Sequence, residues 1–319
     1  MANELDFERP IAELKAKIAE LKAFMEKNEI DLQGEVDKLE ERLKELTETT
    51  YANLTPWQRV QLARQIGRPT TLDYIRGLCD EFVELHGDRH FADDLTIVGG
   101  VGLISGQPVT VIGHQKGRDT KENIRRNFGM ANPEGYRKAL RLMKQAEKFG
   151  RPVVFFIDTP GAYAGMSAEE RGQSVAIAEN LLAMAGLRVP TLSIVTGEGG
   201  SGGALGLGIT DRIYMLDYAW YCVIAPESAA AILWKDAKLG PKAAEVMRLT
   251  AKDLLDLGVI DRIIEEPMGG AQKDPEWMVR KVREVVIDGL RELLSVPIDE
   301  LLEARYHKYR QMGTYVERP

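Results

Sequence analysis

The 319-residue chain carries 42 lysines and arginines against 49 aspartates and glutamates, a net charge of -7, so a basic surface for nucleic acid is not its dominant feature. It is 44% hydrophobic and 29% charged, with no apolar run near the roughly 18 to 20 residues of a membrane helix, which excludes a membrane-spanning chain of helices. Cys79 and Cys222 are far apart and lack CxxC spacing, which speaks against a disulfide framework and a cysteine zinc site.

The opening MANELDFERP is acidic and has no apolar stretch, unlike a secretory or transit segment, so a cytoplasmic location is expected. Residues 1–54 then read as a helical hairpin. Ile11, Leu14, Ile18, Leu21 and Met25 recur at steps of three and four, as do Leu32, Val36, Leu39, Leu43 and Leu46, with a break near Asn28 to Asp31. Each seam is too short for a free coiled coil, so the hairpin is expected to dock on the main body or on a second subunit. Residues 55–319 form the second unit, opening with a connecting arm and a helix expected from about Thr71 to His86. Two β-rich runs follow within 95–113, joined by a tight turn at Ser105-Gly106-Gln107. Asn132-Pro133 opens a helix that ends near Gly150, with Leu140, Met143 and Phe149 as its apolar face. VVFFID is a short buried strand, TPGAYAG a glycine-rich loop, and 167–186 a helix; TLSIVT, GEGGSGG and a small-residue helix repeat that unit. Strands near 211–216 and 219–224, helices to about Gly258, a strand in VIDRIIEE and two C-terminal helices complete an α/β pattern, with ligands expected at the glycine turns.

Chemistry concentrates in the two loops, 159–165 and 197–204. Glycines at a helix start allow close approach of a ligand, and first-turn N–H groups stabilise a negative oxygen, an oxyanion-hole arrangement. Glycine also serves there simply to pack a helix on a strand. A literal GxSxG, Gly199 to Gly203, would make Ser201 a hydrolase nucleophile, but only His307 follows it, within the charged segment EARYHKYR. No P-loop is present, and no strand leads into a dinucleotide-binding GxGxxG. Lys116, Arg118, Lys121, Arg125 and Arg126 form a local basic patch, read either as a solvated helix face or as attraction for an anionic ligand or partner.

The segments GDRHFADD, VIGHQKGR, NFGMANPEGYRKALRLM, DTPGAYAG, GEGGSGGALGLG and VIAPESAAAILWKDA resemble the alpha subunits of acetyl-CoA carboxylase carboxyltransferase, and the resemblance runs nearly end to end. It implies a crotonase-like spiral of repeated ββα units with an N-terminal helical extension. The implied reaction transfers a carboxyl group from carboxybiotin, held by a biotin carboxyl carrier protein, to acetyl-CoA, giving malonyl-CoA. The implied partner is a beta subunit in an α2β2 assembly, with biotin carboxylase in the wider complex. Zinc is then expected in the beta chain, no metal in this one, and no covalently bound cofactor. By match to the motifs, the backbone N–H groups of Gly202 and Gly203 would hold the ureido oxygen of biotin. Gly161, Ala162, Gly165, Gly199, Gly200 and Ser201 would line the substrate site, and His114 and Lys116, at a strand end, read either as lining the carboxybiotin pocket or as a cap or partner contact. Two other readings stand beside this one. A self-sufficient crotonase-type CoA-ester hydratase or decarboxylase would need a carboxylate near the donors, for which Glu198 is the candidate; a scaffold would keep the glycines for packing alone.

Overall fold

The computed structural model describes residues 5–313. A helical hairpin opens the chain: α1 (Arg9–Asn28) and α2 (Gln33–Ala52) turn back on each other at residues 29–32, where Glu29 takes a left-handed φ of 53°. Ile18 and Val36 are buried, and Lys22 bridges to Glu40 at 2.7 Å across the hairpin. At its base, Ile11 and Tyr51 pack with Leu62 and Tyr218. The tip, with Phe24 and Ile30, is exposed.

The arm comprises α3 (Pro56–Ala63), started by a Thr55–Gln58 capping box, and α4 (Thr71–Leu78). The helix expected to reach His86 stops at Leu78, and residues 81–84 instead form β1 (Glu81–Glu84). The reason lies in its neighbour. A Cβ on Gly100 would stand 2.1 Å from the Val83 carbonyl oxygen and one on Gly102 2.8 Å from that of Glu81, so two glycines make room for an extra edge strand. That neighbour is β2 (Ile97–Ile104), antiparallel to β1 and to β3 (Gln107–His114). Ser105 and Gly106, both at positive φ, close the β2–β3 hairpin at the expected place.

After α5 (Thr120–Arg125) comes α6 (Pro133–Lys148). Its buried face is Tyr136, Ala139, Leu142, Met143 and Ala146; Phe149 is exposed at the helix end, between the cations of Lys148 and Arg151. Next are β4 (Val153–Thr159), α7 (Met166–Glu170) and α8 (Gln173–Gly186), the last two separated at Gly172, whose φ is 78°. β5 (Thr191–Gly200) leads directly into α9 (Ser201–Leu205), followed by β6 (Arg212–Leu216) and β7 (Trp220–Cys222). α10 (Pro226–Trp234), α11 (Gly240–Met247), α12 (Ala251–Asp256), β8 (Arg262–Ile264), α13 (Pro275–Leu294) and α14 (Ile298–Gln311) complete the chain.

One sheet organises these elements, in the order β1-β2-β3-β4-β5-β6-β8, and from β3 onward its strands run parallel. Every residue of β5 and nearly every one of β4 is buried, as a continuous apolar strand with both faces covered requires. Helix α6 covers β2 and β3, while α4 and α13 pack together and reach β2, β3 and β5. Past Val195, β5 leaves β6 and pairs through residues 198–200 with β7. The segment GEGG is therefore strand, not loop. This bend delivers the end of β5 to the edge where β3 and β4 also end.

Candidate active site

Three parallel strands end together at residues 114, 159 and 200. The two glycine segments meet there in main-chain contact. A Cβ on Gly200 would lie 2.2 Å from the carbonyl oxygen of Pro160, and one on Gly203 would lie 2.4 Å from the Ala162 nitrogen. Neither position holds a side chain. Thr159 pins the first loop, its Oγ1 accepting from the Gly161 N–H at 3.1 Å and donating to the Gly161 carbonyl at 2.7 Å. Gly165 sits further along at the start of α7, against the ring of Tyr163.

At the strand-to-helix turn Ser201 takes a φ of +59°, a conformation that costs a non-glycine residue ~1 to 3 kcal/mol and persists where surroundings impose it. The strain turns the chain so sharply that Gly202 and Gly203 become the second and third residues of α9, whose N–H groups have no partner within a helix. In front of them opens a cleft of about 430 Å³. Its wall is mostly apolar, with Leu205, Val223, Met247 and Leu254, and Tyr309 and Met312 reach it from the C-terminal end of the chain. Of the residues singled out by sequence, Ser201 and Gly202 line this cleft. Gly161, Gly199, Gly200 and Gly203 are buried behind it and set the close approach of the two loops. A Cβ on Gly202 would meet Ile177 at 3.7 Å, an ordinary contact, so this position accepts a small side chain where Gly203 does not.

His114 and Lys116 do not line the cleft. His114 is fully buried, its ring beside the backbone of Phe156 and Gly203. Burial, with the nearby charge of Lys116, pulls its pKa down to about 3, so the imidazole is neutral. The Lys116 ammonium is held between Asp158 and Glu198, at 2.7 Å from each. Arg64 donates to the other oxygen of Glu198 at 2.7 Å and also pairs with Glu227, and Asp158 accepts from the Glu198 N–H at 2.9 Å. Burial alone would raise the Glu198 carboxyl; Lys116 and Arg64 outweigh it and hold the pKa at about 2. The same carboxylates raise Lys116 against its own burial. Arg64 and Asp158 were missed as site residues, although each ends a motif, TPWQRVQLAR and VVFFID. A charge closing an apolar strand was the available signal.

The basic patch divides in a similar way. Lys116 turns inward, Arg118 pairs with Asp73, and Arg126 pairs with Glu122 while donating to the Leu95 carbonyl. Lys121 and Arg125 remain on the surface. Ser201 has no side-chain hydrogen bond to an imidazole among the described residues, so the hydrolase elbow lacks its base.

A family described as acetyl co-enzyme A carboxylase carboxyltransferase-like matches residues 4–313. The chain belongs to this family. Among relatives, the acetyl-coenzyme A carboxylase carboxyl transferase subunit alpha of Anoxybacillus flavithermus is 59% identical over 317 residues, covering 99% of this chain and 98% of that protein. The subunit alpha of Halalkalibacterium halodurans is 60% identical over 315 residues, covering 99% and 97%. Among solved structures, a Pseudomonas malonate decarboxylase hetero-tetramer in complex with coenzyme A matches with a TM-score of 0.58 at 20% identity, over 74% of this chain and 92% of that one. A transcarboxylase 12S structure with methylmalonyl-coenzyme A and methylmalonic acid bound gives 0.57 at 18%, over 74% and 44%. At such identities these structures speak for the fold alone, a crotonase-type α/β architecture.

Proposed function

We propose that this chain is the alpha-type subunit of a biotin-dependent carboxyltransferase that moves a carboxyl group from carboxybiotin to acetyl-CoA, forming malonyl-CoA. The observation that supports the reading is the place of Gly202, in the wall of an apolar cleft and in the first turn of α9, where N–H groups have no helical partner. Carboxybiotin is a substrate brought by a carrier protein. As its carboxyl group departs, negative charge gathers on the ureido oxygen, and we assign its stabilisation to the N–H groups of Gly202 and Gly203. The freed ureido nitrogen can take the methyl proton of acetyl-CoA, so the chain need supply no side-chain base; it supplies position, donors and exclusion of water.

The rival hydratase or decarboxylase reading asks Glu198 to exchange protons. A carboxylate clamped by Lys116 and Arg64 with a pKa of about 2 is a poor base near neutral pH, which favours the transferase. A beta-type chain is expected to bring the acetyl-CoA pocket and the zinc site and to join in an α2β2 assembly, with the hairpin of residues 1–54 as a docking unit.

The test is carboxyl transfer from malonyl-CoA to biocytin, measured with the chain alone and then with a beta-type subunit. Activity confined to the mixture is expected, and turnover of a CoA ester by the chain alone would overturn the reading. Gly202→Val, which fills the donor face, is expected to lower transfer by about 100-fold to 1000-fold without loss of assembly; full activity in that variant would favour the scaffold.

A further inference from the structure

A second concavity, of about 880 Å³, lies between α6, α8 and the loop before β2, away from the glycine turns. Its loop is rigid. The Asp88 Oδ1 accepts from the N–H groups of His90, Phe91 and Ala92 at 2.9, 2.8 and 3.1 Å, and Arg89 takes a left-handed φ of 65°. Two of the cleft's arginines are neutralised: Arg137 pairs with Asp88 and Glu134, and Arg171 pairs with Glu134.

Arg141, in the cleft wall, and Arg89, exposed beside the cleft and outside its lining, differ. Arg141 donates to the carbonyl oxygens of Gly87 and His86 at 3.1 and 3.3 Å, and Arg89 donates to that same His86 oxygen at 2.7 Å. Two guanidinium groups thus converge on one neutral acceptor, and neither has a carboxylate in salt-bridge range among the described residues. The nearby carboxylates are already engaged, Asp93 with Lys138 at 2.6 Å and Asp88 with Arg137. Burial and the adjacent charge of Arg89 lower the pKa of Arg141, so the pairing is unfavourable as it stands. One helical turn beyond Arg141, Lys144 lines the same wall, exposed and without an ion-pair partner among the described residues. Glu170 and Glu179 lie in the opposite wall and confine an anion to the α6 side. At the rim Phe91 is 65% exposed, with the Arg171 guanidinium 5.0 Å from its ring centre, a surface on which a planar ring can stack.

We propose that Arg89, Arg141 and Lys144 form a binding site for a diphosphate group, with Phe91 placed to stack against the base of a nucleotide that carries it. An anion bridging the two guanidinium groups would remove their mutual repulsion, and arginine is the side chain suited to phosphate oxygens. The diphosphate could belong to a free nucleotide or to the nucleotide end of a CoA ester.

Direct titration of the full chain, followed by calorimetry, tests this without any assay of carboxyl transfer. Inorganic pyrophosphate is expected to bind saturably, ADP more tightly, and both more weakly as salt rises. Arg141→Gln should weaken both by about 10-fold or more. Because that change also removes bonds to the loop, Lys144→Gln serves as the second variant: it touches nothing else and should weaken binding a few-fold. No saturable binding of either probe, or affinities unchanged in both variants, would overturn the site. In a further arm, CoA binding here more tightly than ADP would assign the diphosphate to a CoA ester, and weaker binding would assign it to a free nucleotide; either result requires the site.

Discussion

Gly202 and Gly203 are adjacent yet tolerate change very differently. An Ala at 203 must push its Cβ into the main chain of the facing loop, 2.4 Å from the Ala162 nitrogen, whereas an Ala at 202 meets only Ile177, at an ordinary 3.7 Å. Gly203→Ala is therefore expected to cost about 1 to 3 kcal/mol and Gly202→Ala close to nothing, a difference that thermal or urea unfolding will register. His114 gives a pH signature. It takes up a proton in the unfolded chain near its ordinary 6.5 but stays neutral in the fold down to about 3. The folded pKa is the lower one, so the unfolded state binds more protons in that window and stability falls with acidification. The loss should begin below pH 6.5 and approach about 1.4 kcal/mol per pH unit, with no contribution above. Urea midpoints between pH 7 and 5 should show this slope in the wild type and a flatter one in His114→Gln. Lys116 supplies the converse case. Lys116→Met leaves Asp158 and Glu198 close together with only Arg64 at the far oxygen, an expected cost of about 3 to 5 kcal/mol. The Glu198 carboxylate then loses much of what holds its pKa near 2, so the penalty of the substitution should be largest near neutral pH and shrink as acid protonates the carboxyl.

Among the elements, β5 and α14 show what a linear reading can and cannot reach. The apolar run VVFFID, the Ser105-Gly106 turn, the Pro133 helix start and the hairpin break at 29–32 were legible because each is local: periodicity, a turn pair or a cap fixes it. The glycine positions were legible too, since both follow apolar strands, but the main-chain contact between the two segments was not, because it is set by the pairing of β4 with β5. What escaped depends on distant partners. β1 forms because Gly100 and Gly102 lie beside it, and GEGG extends as strand because β7, some twenty residues later, pairs with it. The charged segment EARYHKYR likewise reads as surface, yet its Arg305 is buried. Arg305 donates to both oxygens of Asp211, at 2.7 and 2.8 Å, and to the carbonyls of Met184, Leu187 and Val189, tying α14 to the end of α8 and the start of β6. Arg305→Met should cost about 3 to 5 kcal/mol because Asp211 stays buried without its cation. The double change Arg305→Met with Asp211→Asn should cost less than the sum of the two single changes, and a cycle of unfolding free energies measures the coupling.

At the scale of the whole molecule, the chain divides its apolar surface unevenly. The sheet and its covering helices share one continuous core, whereas α1 and α2 hold each other through Ile18 and Val36 and reach the body through Ile11, Tyr51, Leu62 and Tyr218. Two helices with so narrow a seam cannot persist alone in water, so their order depends on that base contact and on the inner seam together. The same economy leaves Phe24 and Ile30 exposed at the tip, a surface suited to a docking role. If the hairpin is a separable unit, breaking its seam should melt it and leave the sheet intact. Val36→Asp places a charge at a fully buried seam position that no residue of the sheet shares, so the expected result is loss of helical circular dichroism equivalent to about two 20-residue helices. Limited proteolysis should then cut within residues 29–55 and yield a resistant fragment spanning the sheet, with its main unfolding transition little changed. Collapse of the whole chain at the first cut would instead mean that the hairpin base is part of the common core, and that its helices stabilise the glycine turns as well as any partner surface.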